Sequence, residues 1–361
     1  MSVNIGLFPS DYKDASSFYR CLGPFGELRR RYRKEINVSF LNEVTWATCS
    51  MIDVAVLQRP HLERHLRMAE VFVENRIPLW VDWDDQVFKV PSWNPNHKHY
   101  ENPITRKVIS QTLAMADVVT VSTAALAEEI APLNQNIIVI PNALNTRLLG
   151  PNVPARPEGR DLIFWRGSRT HREDLNVAAR AIVAISEDFP ELTFAFQGAE
   201  PWFGNMMDDR RVFNIEALDV IEYHRFLEKV RPSICVFPLV DCDFNHSKSN
   251  CGWLEASWAG AATLAPNWQE WQQPGVTNYR YAEDFEQQLR HMIATRRTTG
   301  LDMARASWEH IERHLTIDNV NQQRMEVLEG IIDGTIAHPA RGFAGRRLSG
   351  DDVSKLLRVP V

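Results

Sequence analysis

Lys248 and Glu255 stand in the stretch Phe244 to Pro266, FNHSKSNCGWLEASWAGAATLAP, where a polar loop carrying Lys248 and Ser249 runs into an apolar helix carrying Glu255. A lysine at the mouth of a helix can meet phosphate, and a carboxylate about two turns on can hold ribose hydroxyls. Glu255 lies inside the apolar run Trp253, Leu254, Ala256, Trp258 and Ala259, where an unpaired charge is costly, which favours a functional carboxylate over one that merely faces outward. Gly260 is expected to end the helix and Ala261 to Ala265 to form a buried strand. Together these features suit a nucleotide-sugar pocket.

Two further groups of residues carry chemistry. The sequence VDWDDQVFKVP places Asp82, Asp84 and Asp85 at the end of an apolar strand, where carboxylates can bind a divalent metal, orient sugar hydroxyls or act as a base. They are taken as the catalytic candidates. The segment DLIFWRGSRTHREDL sets Gly167 at a sharp turn after a strand, with Arg166 and Arg169 beside a helix start, where guanidinium groups can neutralise a diphosphate. Thr170 and Glu173 fit a capping box, and a lone histidine such as His171 reads as a residue of the helix cap.

The elements that must position these residues form two alternating series. Val3 to Phe8, Ile36 to Leu41, Val54 to Leu57, Pro78 to Trp83, Val118 to Ser122 and Ile137 to Pro141 read as strands, with helical patterns at Ser17 to Lys34 and Leu62 to Asn75. A helix begins at Ser122 or Thr123, and Ser122 and Asn142 are strand-end polar residues that serve as caps, turns or cleft lining. After Asn142 the chain loosens into LNTRLLGPNVPARPEGR, read as a link. The second series has strands at Asp161 to Trp165, Leu192 to Gln197, Ile234 to Pro238 and Ala261 to Ala265, with helices near His171 to Asp188, Asp219 to Val230 and Asn250 to Ala259. The pattern predicts an α/β protein of two Rossmann-like parallel-sheet domains, 1–150 and 151–335, facing across a cleft, and then a tail, 336–361. Helix is expected from about Ala282 to Ile336.

Composition bounds the rest. The chain has 361 residues and a formal net charge of −6, so any polyanion must be met by a local patch, and Arg29, Arg30, Arg31 and Arg33 in RRRYRK form one. Five scattered cysteines without a CxxC pair argue against a zinc site or disulfide framework. The opening MSVNIGLFPSDYK carries no basic leader with an apolar core, and no run approaches a membrane span, so a cytoplasmic location is expected. No GxGxxG follows the first strand, which disfavours a nicotinamide-dependent oxidoreductase.

Taken together, ADVVTVST, IIVIPNALN, FWRGSRTHREDL and HSKSNCGWLEASWAGAATLAP resemble family 4 of the retaining, nucleotide-sugar-dependent glycosyltransferases of the GT-B fold. The resemblance implies that Arg166 or Arg169 and Lys248, with Gly167 and Ser249 beside them, contact the donor diphosphate, and that Glu255 holds the ribose. It implies transfer with retention and no required cofactor, the aspartates positioning a substrate rather than chelating. The family carries two glutamates eight positions apart; here the earlier position is Ser247, and VDWDDQVF with KS before the glutamate is similar to a divergent bacterial and bacteriophage branch. The Arg29 to Arg33 patch, placed on the acceptor side, suggests an anionic acceptor such as hydroxymethyl-pyrimidine DNA; polysaccharide, lipid-linked sugar and protein are the competing acceptors. Trp93, Trp202, Trp268 and Trp271 could stack on sugars or bases. A non-catalytic GT-B protein that binds a nucleotide or glycan is the reading of another class.

Overall fold

The structure is a computed structural model and describes residues 2–149 and 161–338; positions 150–160 of the expected link and 339–361 of the expected tail lie outside the described residues. Six strands make the first sheet: β1 (Val3–Phe8), β2 (Ile36–Phe40), β3 (Val54–Gln58), β4 (Leu79–Trp83), β5 (Val118–Val121) and β6 (Ile137–Val139). Their order is β2-β1-β3-β4-β5-β6 and every pair is parallel. The central strands β3, β4 and β5 are buried at every position, as a parallel sheet covered on both faces requires.

The second sheet holds β7 (Leu162–Arg166), β8 (Thr193–Gln197), β9 (Val212–Ile215), β10 (Ile234–Val236), β11 (Ala262–Pro266) and β12 (Val276–Tyr279), in the order β12-β11-β10-β7-β8-β9, again all parallel. Relative to the sequence reading, β9 and β12 are new. Both are edge strands with partly exposed side chains, so neither shows the continuous apolar run that marks the inner strands. Gly260, at φ 83°, follows the helix Cys251–Trp258 and turns the chain into β11, because only glycine adopts that conformation without strain.

After β1 the chain forms one helical run in three parts: Ala15–Ser17, capped by Asp14, then a π-helical segment Phe18–Leu22, then Gly23–Arg31. The π segment is where side chains are redirected. Tyr19 enters the apolar core of the second domain, among Phe164, Tyr223 and Trp253, while its neighbour Arg20 stays in the first domain against Asp82. Phe244 makes the opposite crossing, from the second domain into the core around Trp83 and Val87. The two domains thus exchange aromatic side chains, Tyr19 with Phe18 packed beside it in one direction and Phe244 in the other.

The C-terminal helical stretch is three helices, Ala282–Thr295, Thr299–His314 and Ile317–Asp333. The last of these, grouped by sequence with 151–335, packs on the first domain: Ile317, Val320, Val327, Leu328 and Ile331 share a core with Ile5, Phe25 and Trp80. Its entry is fixed by reciprocal backbone bonds, Leu144 N to Leu315 O at 2.9 Å and Ile317 N to Leu144 O at 2.8 Å. An apolar face every three to four residues says that a helix packs, but not on which domain.

Candidate active site

A cavity of about 560 Å³ lies where the carboxyl ends of both sheets face each other. It sits at the places where strand order reverses, between β1 and β3 in one sheet and between β7 and β10 in the other, which is where open α/β sheets leave a crevice. Loops after β1, β3, β4 and β6 supply one wall, and those after β7, β8, β9, β10 and β11, with the turn before the helix Cys251–Trp258, supply the other.

On the second-domain wall, Lys248 is placed by a loop tied to the first domain. Thr123 Oγ1 donates to Ser247 O at 2.9 Å and Asn142 Nδ2 donates to Ser249 Oγ at 2.9 Å. Lys248 Nζ rests 4.2 Å from the centre of the Phe244 ring and 3.6 Å from Asp85 Oδ1 across the cleft. Ser247, at the position of the usual glutamate, turns its hydroxyl back to Asp243 O at 3.3 Å. Gly167 is a close-approach position, since a Cβ there would come within 2.4 Å of the Trp165 ring and 2.9 Å of His171 Cβ.

The three aspartates separate. Asp82 is buried and does not line the cavity; it is paired with Arg20 through two bonds, Nε to Oδ1 at 3.0 Å and Nη2 to Oδ2 at 2.8 Å, and accepts from Thr120 Oγ1 at 2.7 Å. The structure thus places Asp82 in a buried ion pair with Arg20, behind the residues that line the cavity. Asp84 and Asp85 do line the cleft. Arg59 Nε donates to Asp84 Oδ1 at 2.8 Å, Ser16 Oγ bonds Oδ2, and Arg59 Nη2 lies 3.9 Å from Asp85 Oδ2. Burial would raise the pKa of Asp84, but Arg59 and the Ser16 hydroxyl outweigh it and hold the group below the ordinary carboxylate range. Each of these two carboxylates faces a cation of the protein, Arg59 for Asp84 and Arg59 with Lys248 for Asp85, and Asp14 lines the same cavity. Among the described residues no group of three His, Cys, Asp or Glu is arranged to hold a metal.

Arg59 escaped the sequence reading. It lines the cleft at φ 48°, a left-handed conformation uncommon for a non-glycine residue, and its backbone N–H donates to Asp82 O at 2.9 Å. An arginine at the end of β3, opposite the β4 aspartates, was the available signal. His171 stands at the N-cap of the helix Arg172–Asn176, as read from the sequence, and it also lines the cleft with Nδ1 2.8 Å from Asp174 Oδ2. Asp174 is buried and held by Val240 N at 2.9 Å and Asn245 Nδ2 at 2.7 Å. A carboxylate accepts, so Nδ1 carries the proton and neutral His171 offers Nε2 as an acceptor. Burial and Lys248 push its pKa down, against the pull of Asp174. The buried Gln197 also lines the cleft, and its Oε1 has no protein partner.

Glu255 lies behind the wall rather than in it. It is fully buried; Oε1 accepts from Tyr19 Oη at 2.8 Å, and Oε2 faces Arg166 Nη1 at 3.4 Å as a charge contact without a hydrogen bond. Arg166 and Tyr19 line the cavity in front of it, and the Arg166 guanidinium also stacks 5.0 Å from the Tyr223 ring. Burial pushes the Glu255 pKa up, with Arg166 and Tyr19 opposing. The phenol has one proton and gives it to Glu255, so its contact with His224 Nε2 at 2.8 Å must be donated by the imidazole. Any ligand that reaches Glu255 must first displace Tyr19 or Arg166.

Burial pushes the pKa of His224 down to about 3, with Arg166 adding to the effect, and burial chiefly does the same to His65, whose Nδ1 accepts two backbone N–H groups. Between about pH 6.5 and 3 the unfolded chain binds more protons at these sites, so unfolding free energy is expected to fall with falling pH, by about 1.4 kcal/mol per unit for each histidine. Urea unfolding at pH 7, 6 and 5 measures the slope; His65→Gln should lower it, and a flat profile would contradict the assignment.

No protein-family model matches the chain, and no curated protein matches it in sequence. Solved structures do match. The Anabaena protein HepE, solved in complex with UDP and glucose, aligns with a TM-score of 0.64 at 12% identity, covering 91% of this chain and 100% of that one. A glycosyltransferase from Rickettsia africae gives 0.59 at 11% identity over 92% and 98% of the two chains. This chain has the GT-B fold. The GT-B likeness extends to a putative UDP-N-acetylglucosamine 2-epimerase from Listeria monocytogenes, with a TM-score of 0.59 at 12% identity, covering 94% and 99%.

Of the residues singled out by sequence, the GT-B cleft brings together Asp84, Asp85, Arg166, Gly167, Lys248 and Ser249. Arg169 falls outside it, lining a neighbouring cavity, because the short helical turn Arg169–His171 sends it to the other side of the loop from His171. Arg29, Arg30, Arg31 and Arg33 are not on the cleft side. The helical run after β1 starts at the cleft and travels back, so the patch ends beside the start of β1, where Val3 N bonds Glu35 O at 2.7 Å. Arg30 is paired with Glu27 and Arg31 with Asp318. Of the four tryptophans, Trp271 lines the cleft and Trp93 the neighbouring cavity, Trp202 donates Nε1 to Asn176 Oδ1 at 2.6 Å, and Trp268 packs 4.3 Å from the His246 ring.

Proposed function

We propose that the protein is a nucleotide-sugar-dependent glycosyltransferase that acts with retention. The observation that carries this reading is the convergence of Lys248, Arg166 and Arg59 on one interdomain cavity whose floor, at Gly167, is bare backbone. A diphosphate needs cationic partners and close backbone approach, and a donor sugar needs carboxylates such as Asp84 and Asp85 for its hydroxyls. The fold is compatible with it, and HepE was solved with UDP and glucose.

In this reaction the bond between the anomeric carbon and the phosphate oxygen breaks, the bond to the acceptor oxygen forms on the same face, and the acceptor proton passes to the departing phosphate. The residues of this chain stabilise the negative charge that grows on that phosphate, a task Lys248 and Arg166 can perform without a metal. His171, oriented by Asp174, accepts a hydrogen bond from a donor hydroxyl. No described helix is long and apolar enough to cross a membrane, and a cytoplasmic location is part of the same reading. A DNA acceptor keeps no support from the Arg29 to Arg33 patch, which faces away from the cleft.

Proton NMR of the protein with a panel of UDP-, GDP- and ADP-sugars tests the proposal. Slow release of sugar first seen as the donor's own anomer is expected for one nucleotide. Inversion at the second carbon of the donor would make the protein an epimerase, and neither turnover nor binding would sink the reading.

A further inference from the structure

Gln197 ends β8 on the second-domain wall of the cleft, where it is 3% exposed. Among the described residues no protein group bonds either atom of its side-chain amide. Its backbone is pinned on both sides: Gln197 O accepts from Gly167 N at 3.0 Å, and Gly198 N donates to Ile215 O at 2.9 Å. Gly198 stands at φ 85°, and a Cβ there would come within 2.5 Å of Gly167 O, so the backbone beside the amide stays bare. The charged groups around the cleft engage one another, Arg59 with Asp84, Lys248 with Asp85, and Arg166 with Glu255 behind the wall. A buried amide left unpaired costs stability, so one held at a cleft wall points to a ligand that pairs with it.

We propose that Gln197 reads the base of the nucleotide donor and so selects which nucleotide the protein takes; the inference rests on the nucleotide-sugar reading above. In sheet order β8 and β9 lie beyond β7, about 5 and 10 Å from it. A nucleoside whose diphosphate meets Lys248, Arg166 and Gly167 can extend over the ends of β8 and β9, where Ala217 and Leu218 offer apolar contact and Gln197 a polar one. The opposite flank, over β10 and β11, is lined by Phe237, Pro238, Leu239 and Trp271, none of which has a side-chain oxygen to accept a hydrogen bond. An amide sets a donor and an acceptor side by side in one plane, and the edge of a base does the same, so the two meet through parallel hydrogen bonds. A ribose hydroxyl is a single rotating group and does not require that pairing. The common bases carry their donor and acceptor groups at different places around the ring, so an amide held in one place by burial favours one of them.

Calorimetry of the full chain with UDP, GDP, ADP and CDP tests the inference. The four ligands share ribose and diphosphate, so their ranking reads the base alone. The parent is expected to prefer one of them by about tenfold or more, and Gln197→Met, similar in volume but without polar ends, is expected to bring the four within about threefold by weakening the preferred one. Gln197→Glu keeps the shape and loses the N–H donor, and should change the ranking even if Gln197→Met disturbs the strand. A parent that does not discriminate, or a ranking unchanged in both variants, overturns the inference and leaves the donor reading standing. An equal loss for all four ligands also overturns it, because the amide would then serve the ribose or the diphosphate. Binding of none of the four by the folded parent would remove the donor reading itself, and this inference with it.

Discussion

Lys248→Ala is expected to lower kcat/KM for the nucleotide-sugar donor by about 10²–10³-fold, the usual cost of removing one preorganised group that stabilises transition-state charge. Lys248 is the cation whose place is most fully specified: its backbone is tied to the first domain on both sides, through Thr123 to Ser247 and Asn142 to Ser249, and its ammonium rests against Phe244. Its ion pair with Asp85 is long, at 3.6 Å, and partly exposed, so the contact is weak and a phosphate can replace it. Because negative charge grows on the leaving group, the loss should fall mainly on kcat rather than KM. Lys248→Arg should recover part of the rate, since it keeps the charge but not the compact ammonium. A loss below about fivefold in steady-state assays would remove Lys248 from the mechanism.

Arg20→Ala is expected to cost about 3–5 kcal/mol of stability, because it leaves the Asp82 carboxylate buried with only Thr120 to satisfy it. Arg20 also donates to Ile140 O at 2.6 Å and to Asn142 Oδ1 at 3.3 Å, so it joins the helical run after β1 to the ends of β4 and β6. The same run carries Tyr19 and Ser16 to the cleft, and the variant should lose donor binding along with stability. Arg20→Ala with Asp82→Ala removes both charges, and should be less destabilised than the single substitution, which separates an orphaned charge from a lost contact. Equilibrium urea unfolding of the three variants measures this. Equal stability of Arg20→Ala and the parent would mean that water reaches Asp82.

The fold was legible because parallel strands buried on both faces read as continuous apolar runs, and all ten strands expected on that ground are present within one or two residues at their ends. The site was legible only in part, and the reason is direction. Sequence places Asp82, Asp84 and Asp85 at one strand end, but side chains alternate across a strand, and which of them meets the cleft depends on what lies beyond it. The same limit applies to Glu255: a carboxylate in an apolar helix does signal a partner, but the partners are Tyr19, more than two hundred residues earlier, and Arg166. The arginine patch lies away from the cleft because a helical run from Ala15 to Arg31 is about 25 Å long, a distance that residue types alone do not announce.

The exchange of rings between the domains, Tyr19 one way and Phe244 the other, bears on kinetics. Withdrawing each ring costs on the order of 1.5–3 kcal/mol of burial, and Tyr19 also gives up its bonds to Glu255 and His224. A rigid-body separation of the domains would have to withdraw both rings at once, and on these costs the open form is expected to be populated on the order of 1% or less. Substrate capture would then saturate: its observed rate would rise with donor concentration and level off at the opening rate, and product would wait on the same gate.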